Sequence, residues 1–169
     1  MPLAFRKAVV DAGPLFTVLT LSFVRKYKRE PILERAEMPR DSKTQDAYFQ
    51  LFAGIQSVLT TSHVVGELQG LQSSRLRLKG MDRENFWLST TDFLRTKNFD
   101  ERLISLLEMR AEQRSSDRIG VFGPSDGGLI ELAAREGCVF LTDDGALKGE
   151  AIRSGVNCQL VRDLLAGAL

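Results

Sequence analysis

Residues 8–15 read Ala8-Val9-Val10-Asp11-Ala12-Gly13-Pro14-Leu15. Three apolar residues end at a carboxylate, and a Gly-Pro pair follows after Ala12. A short apolar run bounded in this way reads as a buried strand. A proline suits the first turn of a helix. The segment from Leu15 to Tyr27 has apolar residues at 15, 16, 18, 19, 21, 23 and 24 and turns basic at its end. That predicts a helix with cations where its dipole favours them. A strand, an acidic junction and a helix are therefore the unit to look for elsewhere.

The unit recurs. Residues 28–42, with Pro31 and Pro39, read as a loop. Lys43 to Gln56 puts Ala47, Phe49, Leu51, Phe52 and Ile55 near one helical face. Ser57 to Thr61 predicts a second strand, with Ser62 as the N-cap of a helix from His63 to about Ser74. Helical sequence continues over roughly Arg83–Thr96 and Glu101–Gln113, punctuated by Gly80 and Asn98-Phe99-Asp100. Residues 115–123 read as a loop, Pro124-Ser125 opens a helix through Glu136, and Gly137 closes it. Cys138–Thr142 is a third strand, Asp144–Ser154 a helix, Val156–Val161 a fourth strand, and a short helix ends the chain. Strands apolar throughout and separated by helices predict a parallel sheet covered on both faces, an α/β fold.

Composition bounds the function. A chain of 169 residues predicts one domain, 1–169, and can bury a two- or three-layer core. Hydrophobic residues at 43% and charged residues at 27% exclude disorder as the main state. Lys+Arg of 23 against Asp+Glu of 22 gives a net charge of +1, so only the distribution of charge bears on a nucleic-acid partner. Two cysteines, Cys138 and Cys158, exclude a disulfide scaffold and an all-cysteine zinc site, and both sit in apolar runs. A single histidine, His63, excludes a His-rich metal site. The apolar run from Gly13 to Val24 is too short to span a bilayer and no cleavage motif follows it, so a cytoplasmic protein is expected. The chemistry must come mostly from carboxylates.

In open parallel sheets ligands bind outside the carboxyl ends of the strands. Asp11 follows the first strand, Glu67 lies on the first turns of the helix after the second, and Asp143 and Asp144 follow the third. Asp126 stands at the start of the helix before that third strand. Taken singly, Asp126 and Asp143 read as ordinary caps. Asp11 should be partly desolvated, and Glu67, beside Val64, Val65 and Leu68, is read as half-buried and costly without a partner. Clustered carboxylates raise each other's pKa unless a cation lies between them. An all-oxygen set fits a hard divalent ion, Mg2+ or Mn2+.

These strings carry a resemblance. Val9-Val10-Asp11-Ala12-Gly13-Pro14-Leu15 looks like the opening strand and turn of PIN-domain nucleases. Ser57-Val58-Leu59-Thr60-Thr61-Ser62-His63-Val64-Val65-Gly66-Glu67-Leu68 is similar to that family's second strand and acidic helix. Ser125-Asp126-Gly127-Gly128-Leu129-Ile130-Glu131-Leu132-Ala133 resembles its third acidic motif, and Phe140-Leu141-Thr142-Asp143-Asp144-Gly145-Ala146-Leu147 its strand ending in Thr-x-Asp. The motifs occur in the family's order from Val9 to Leu147. The resemblance implies a three-layer α/β/α fold with a central, mostly parallel sheet, PIN-like over the whole chain, with additional helical sequence at about 70–113. It also implies single-stranded ribonuclease activity, 5′-phosphate and 3′-hydroxyl products, and often the role of toxin beside an antitoxin protein. A homodimer is a further expectation.

The roles then expected are these. Asp11 is the central metal ligand, Asp126 and Asp144 hold the metal or metals, and Glu67 binds a second ion directly or through water. Asp143 is an outer ligand or the N-cap of the next helix. Thr142 and Ser125 orient carboxylates or waters. Two basic clusters, Arg25-Lys26-Lys28-Arg29-Arg35 and Arg75-Arg77-Lys79-Arg83, would steer the RNA, with Arg25, Lys26, Arg75 and Arg77 as substrate contacts. The rival reading is a PIN-like scaffold that binds protein partners without catalysis, with Leu103, Leu106, Leu107 and Met109 as core or dimer seam. Asp11-Ala12-Gly13 lacks the acidic pair of a receiver domain and the D-x-D-x-T of a haloacid-dehalogenase-like phosphatase. The loop at Gly123–Gly128 is neither a dinucleotide fingerprint nor a Walker A motif.

Overall fold

The computed structural model describes residues 4–105, 107–109 and 116–168, with backbone alone at 116–121 and 168. Its centre is one sheet of five parallel strands: β1 (Phe5–Val10), β2 (Ile55–Thr61), β3 (Asp100–Arg102), β4 (Val139–Thr142) and β5 (Cys158–Leu160). The strand order is β3-β2-β1-β4-β5, with every neighbouring pair parallel. The chain builds outward from β1 to β2 and β3, then returns to the other side of β1 for β4 and β5. That reversal sits between β1 and β4, where an open parallel sheet leaves a crevice at its carboxyl edge.

Among the described residues, eight helices surround the sheet: α1 (Ala12–Tyr27), α2 (Pro31–Arg35), α3 (Ser42–Ala53), α4 (Ser62–Leu71), α5 (Gly80–Arg95), α6 (Ser116–Glu136), α7 (Gly145–Arg153) and α8 (Val161–Ala168). A π-helical turn, Gln72–Leu76, prolongs α4. Helices α6 and α7 pack on the strands from one side, and α1, α3 and α8 pack together on the other, giving three layers. One continuous buried cluster joins them, from Ala8-Val9-Val10 through Phe140-Leu141 to Val161.

Helix α1 explains the strong apolar run after Pro14. Leu15, Phe16, Val18, Leu19, Leu21, Phe23 and Val24 are all buried, so the helix is covered nearly all round. The sheet takes one side and α5 takes another. Phe86 of α5 meets Phe16 and Phe23 of α1, with ring centroids 6.4 and 5.7 Å apart. The extra helical sequence expected near 70–113 therefore supplies, through α5, the cover over α1.

Several expectations need correction. Residues 28–42 hold a short helix, α2, because Pro31 opens a turn whose Ile32 and Leu33 are buried. The helix expected over Glu101–Gln113 is absent among the described residues. Asp100–Arg102 instead pairs with Leu59–Thr61 as the edge strand β3. Leu103 and Leu107 are exposed while Ile104 and Met109 are buried, so these residues form no single apolar seam; Leu106 lies outside the described residues. Residues 116–122 are helical rather than a loop, and the break comes at Gly123, with φ 74° and ψ 171°. Ser62 is not the cap of α4. The β2–β3 ladder holds Thr61 extended, so Thr61 takes the cap position and Ser62 enters the helix.

Candidate functional site

At the carboxyl edge of β1, Asp11 caps α1. Its Oδ1 accepts the Ala12 N–H at 2.6 Å, and its own N–H donates to the Leu141 carbonyl of β4 at 3.0 Å. The ladder thus runs up to the carboxylate itself. Thr142, fully buried at the end of β4, donates its hydroxyl to Asp11 Oδ2 at 2.6 Å. The same Thr142 oxygen accepts the Asp144 N–H at 3.1 Å. Thr60 of β2 donates to the Val10 carbonyl at 2.9 Å. Three strand ends are locked together around one aspartate.

Asp144 is the N-cap of α7, its Oδ1 accepting from Ala146 and Leu147 at 2.7 and 3.1 Å. Gly123 places Pro124 in a first turn, which brings Asp126 to the same edge. Its backbone angles suit glycine alone among ordinary residues. At Gly128 this helix packs on Thr61 and Met109: a Cβ there would stand in ordinary contact, 3.7 Å from Thr61 Cγ2 and 3.5 Å from Met109 Cε.

The carboxylates feel one another. Burial pushes Asp126 up to about 7, and the charges of Asp11, Glu67 and Asp144 add to the rise. Asp11 is also raised, chiefly by burial. Its bonds from Thr142 and Ala12 oppose that rise, and the charges of Glu67 and Asp144 add to it. Asp11, Glu67, Asp126 and Asp144 therefore share one electrostatic neighbourhood, although Asp11 and Asp144 are 133 positions apart in sequence. Glu67 reaches it differently from the expectation. It is exposed, not half-buried, because Val64 and Leu68 carry the buried face of α4.

Asp143 does not join this group. It accepts the Arg162 N–H at 3.3 Å, and its charge acts on Tyr48, which burial pushes up to about 12. It is not the cap of α7 either, since Asp144 holds that place. Among the described residues, no three His, Cys, Asp or Glu side chains stand in a ready cage for an ion. The donor set is nonetheless all oxygen. Two hydroxyls on the segments that carry it, Thr61 Oγ1 and Ser125 Oγ, are buried with no partner among the described residues. Such a set fits a hard cation with its waters.

The basic residues lie elsewhere. Arg25 stands 14 residues along α1 from Asp11, about 21 Å away at 1.5 Å per residue. Arg25 pairs with Asp46 at 3.4 Å and Lys26 with Asp92 at 2.9 Å. Arg75 and Arg77 lie at the far end of the π-helical turn, remote from the carboxyl edge. None of the four meets the carboxylate group.

Sequence reasoning missed Arg162, which follows β5 on the site's own edge. One of its Nη atoms stands 3.6 Å from where a Gly145 side chain would begin, beside the β4–α7 turn. Applying the strand-end rule to cations as well as carboxylates would have found it. Cys138 and Cys158 are free, and burial raises both thiols, Cys158 to about 11, so neither is poised as a nucleophile. His63 is exposed.

No protein-family model matches the chain, and no curated protein matches it. Among the described residues, no helix is long and apolar enough to cross a membrane.

Proposed function

We propose that this protein is a divalent-metal-dependent nuclease of the PIN type that hydrolyses phosphodiester bonds in single-stranded RNA. The observation that carries this reading is the gathering of Asp11, Glu67, Asp126 and Asp144 at one sheet edge. There, burial and mutual charge raise Asp126 to about 7. Uncompensated carboxylates at such an edge cost stability, and a cation between them relieves that cost.

Asp11, Asp126 and Asp144 would hold Mg2+ or Mn2+, with Glu67 reaching in from the exposed side of α4. The ion, when bound, polarises the attacking water and offsets charge developing on the phosphate. Thr142 holds the Asp11 carboxylate in place through its 2.6 Å bond. The water oxygen bonds to phosphorus, the bond to the 3′ oxygen breaks, and that oxygen takes a proton. Arg162 is the cation placed to meet a phosphate beside the β4–α7 turn.

The test is cleavage of a mixed single-stranded RNA pool in Mn2+ or EDTA, by wild type and Asp126→Asn. Cleavage that needs metal and disappears in the variant supports the reading; cleavage unchanged in the variant overturns the site. A non-catalytic scaffold is the second reading, favoured by Met81 and Leu88, exposed at 74% and 59% on α5. Melting separates the two: a rise with Mn2+ that Asp11→Asn abolishes belongs to the nuclease.

A further inference from the structure

At the opposite end of α1 from the carboxylates, α2 and the π-helical turn enclose an open cavity of about 430 Å3. Arg35, Ala36, Glu37, Ser74, Arg75 and Arg77 line it. Its charge is unlike that of its surroundings. Nearby Arg25, Lys26, Arg29 and Arg40 each meet a carboxylate within 3.4 Å. Arg35, Arg75 and Arg77 meet none among the described residues. Glu34, the acid nearest Arg35 in α2, is taken up by Arg40 at 3.2 Å. Three arginines against one glutamate leave a net charge of about +2 facing one concavity.

The walls are held. Leu76 and Leu78 are buried on either side of Arg77, which turns the arginine outward. Arg77 Nε donates to the Ser74 carbonyl at 3.2 Å, and the Ser74 hydroxyl donates to the Gly70 carbonyl at 2.8 Å. Glu37 and Arg77 both sit in the left-handed region, at φ 55° and 51°. Non-glycine residues hold that conformation only where the surroundings fix them. Among the described residues no aromatic ring lines the cavity; its chemistry is charge and arginine forks, which match phosphate oxygens.

We infer that this cavity binds an anionic phosphate group through Arg35, Arg75 and Arg77, at a site separate from the carboxylate edge. The anion is either a free phosphate compound or a phosphate of a nucleic acid. The site is independent of the nuclease reading, since no carboxylate of that edge takes part.

The test uses the full chain in EDTA, without divalent ions. Inorganic pyrophosphate is titrated calorimetrically against wild type, Arg35→Gln and Arg75→Gln, with sodium chloride at matched ionic strength as control. Both positions are exposed, so neither substitution should change the circular dichroism. Saturable binding weakened at least tenfold by each substitution, and unchanged in Asp126→Asn, is the expected result. A fluorescent 12-nucleotide single-stranded RNA then identifies the source. Loss of RNA affinity in the same variants, with pyrophosphate competing, assigns the anion to a nucleic-acid backbone; RNA affinity unchanged assigns it to a free phosphate compound. Binding no greater than in matched chloride, or equal in the variants, overturns the proposal.

Discussion

Asp126→Asn should stabilise the metal-free protein at neutral pH and leave it unchanged in acid. Burial and three neighbouring charges push Asp126 up to about 7, against about 3.9 for a free aspartate. The folded state thus holds that proton about a thousandfold more tightly, about 4 kcal/mol at 1.36 kcal/mol per tenfold. Asp126 is half-exposed, so solvent screening reduces the usable part to about 2 kcal/mol. The sign follows from proton counting. Between pH 4 and 7 the folded state binds more protons than the unfolded one, so stability falls as pH rises through this window. Below pH 4 both states are protonated and the penalty vanishes. Asparagine carries no such dependence. For a chain of 169 residues the gain corresponds to about 4–8 °C in melting temperature at pH 8, shrinking to nothing at pH 4. Scanning calorimetry in EDTA from pH 4 to 8 measures it. Equal melting temperatures at pH 8, or the same difference at both ends, would refute the electrostatic account. Saturating Mn2+ should then raise wild type by about 2.7 kcal/mol at a hundred times its dissociation constant, and leave the variant behind.

Three further substitutions test the frame around the site. Thr142→Val keeps the shape but removes the bond to Asp11 and the acceptor for the Asp144 N–H; it should cost about 1–3 kcal/mol in urea denaturation and lower metal affinity. Gly123→Ala forces a side chain into φ 74°, ψ 171°, costing about 1–3 kcal/mol. It should also displace Asp126, read as a weaker Mn2+ shift than the stability loss alone explains. Phe86→Ala opens a cavity between α5 and α1 and should cost about 3–5 kcal/mol in urea, with the pH dependence near Asp126 intact.

The junctions were legible because strand ends obey local rules. An apolar run that stops at Asp11 or Thr142 announces both a buried strand and its exposed end, and both ends lie where that reading puts them. The helix stops at Gly137 and Gly155 were legible too, since both take the left-handed conformation that punctuates helices. Strand β3 was not legible. Asp100-Glu101-Arg102 has neither apolar character nor alternation, and only the free edge of β2 makes it a strand. Exposure at Glu67 failed for a similar reason. The angular position of one residue on a ten-residue helix depends on which neighbours the helix leans against.

Residue type and order alone determined the α/β class and the carboxylates available at strand ends. Each follows from rules that act within a few residues. Tertiary structure alone decided that Asp143 turns to Arg162 while Asp144 caps α7, and that Arg25 and Lys26 stand a full helix length from Asp11. It also decided that Arg35, Arg75 and Arg77 share one cavity. Proximity between residues far apart in sequence comes from how helices pack on the sheet, and that packing energy belongs to no local stretch of chain.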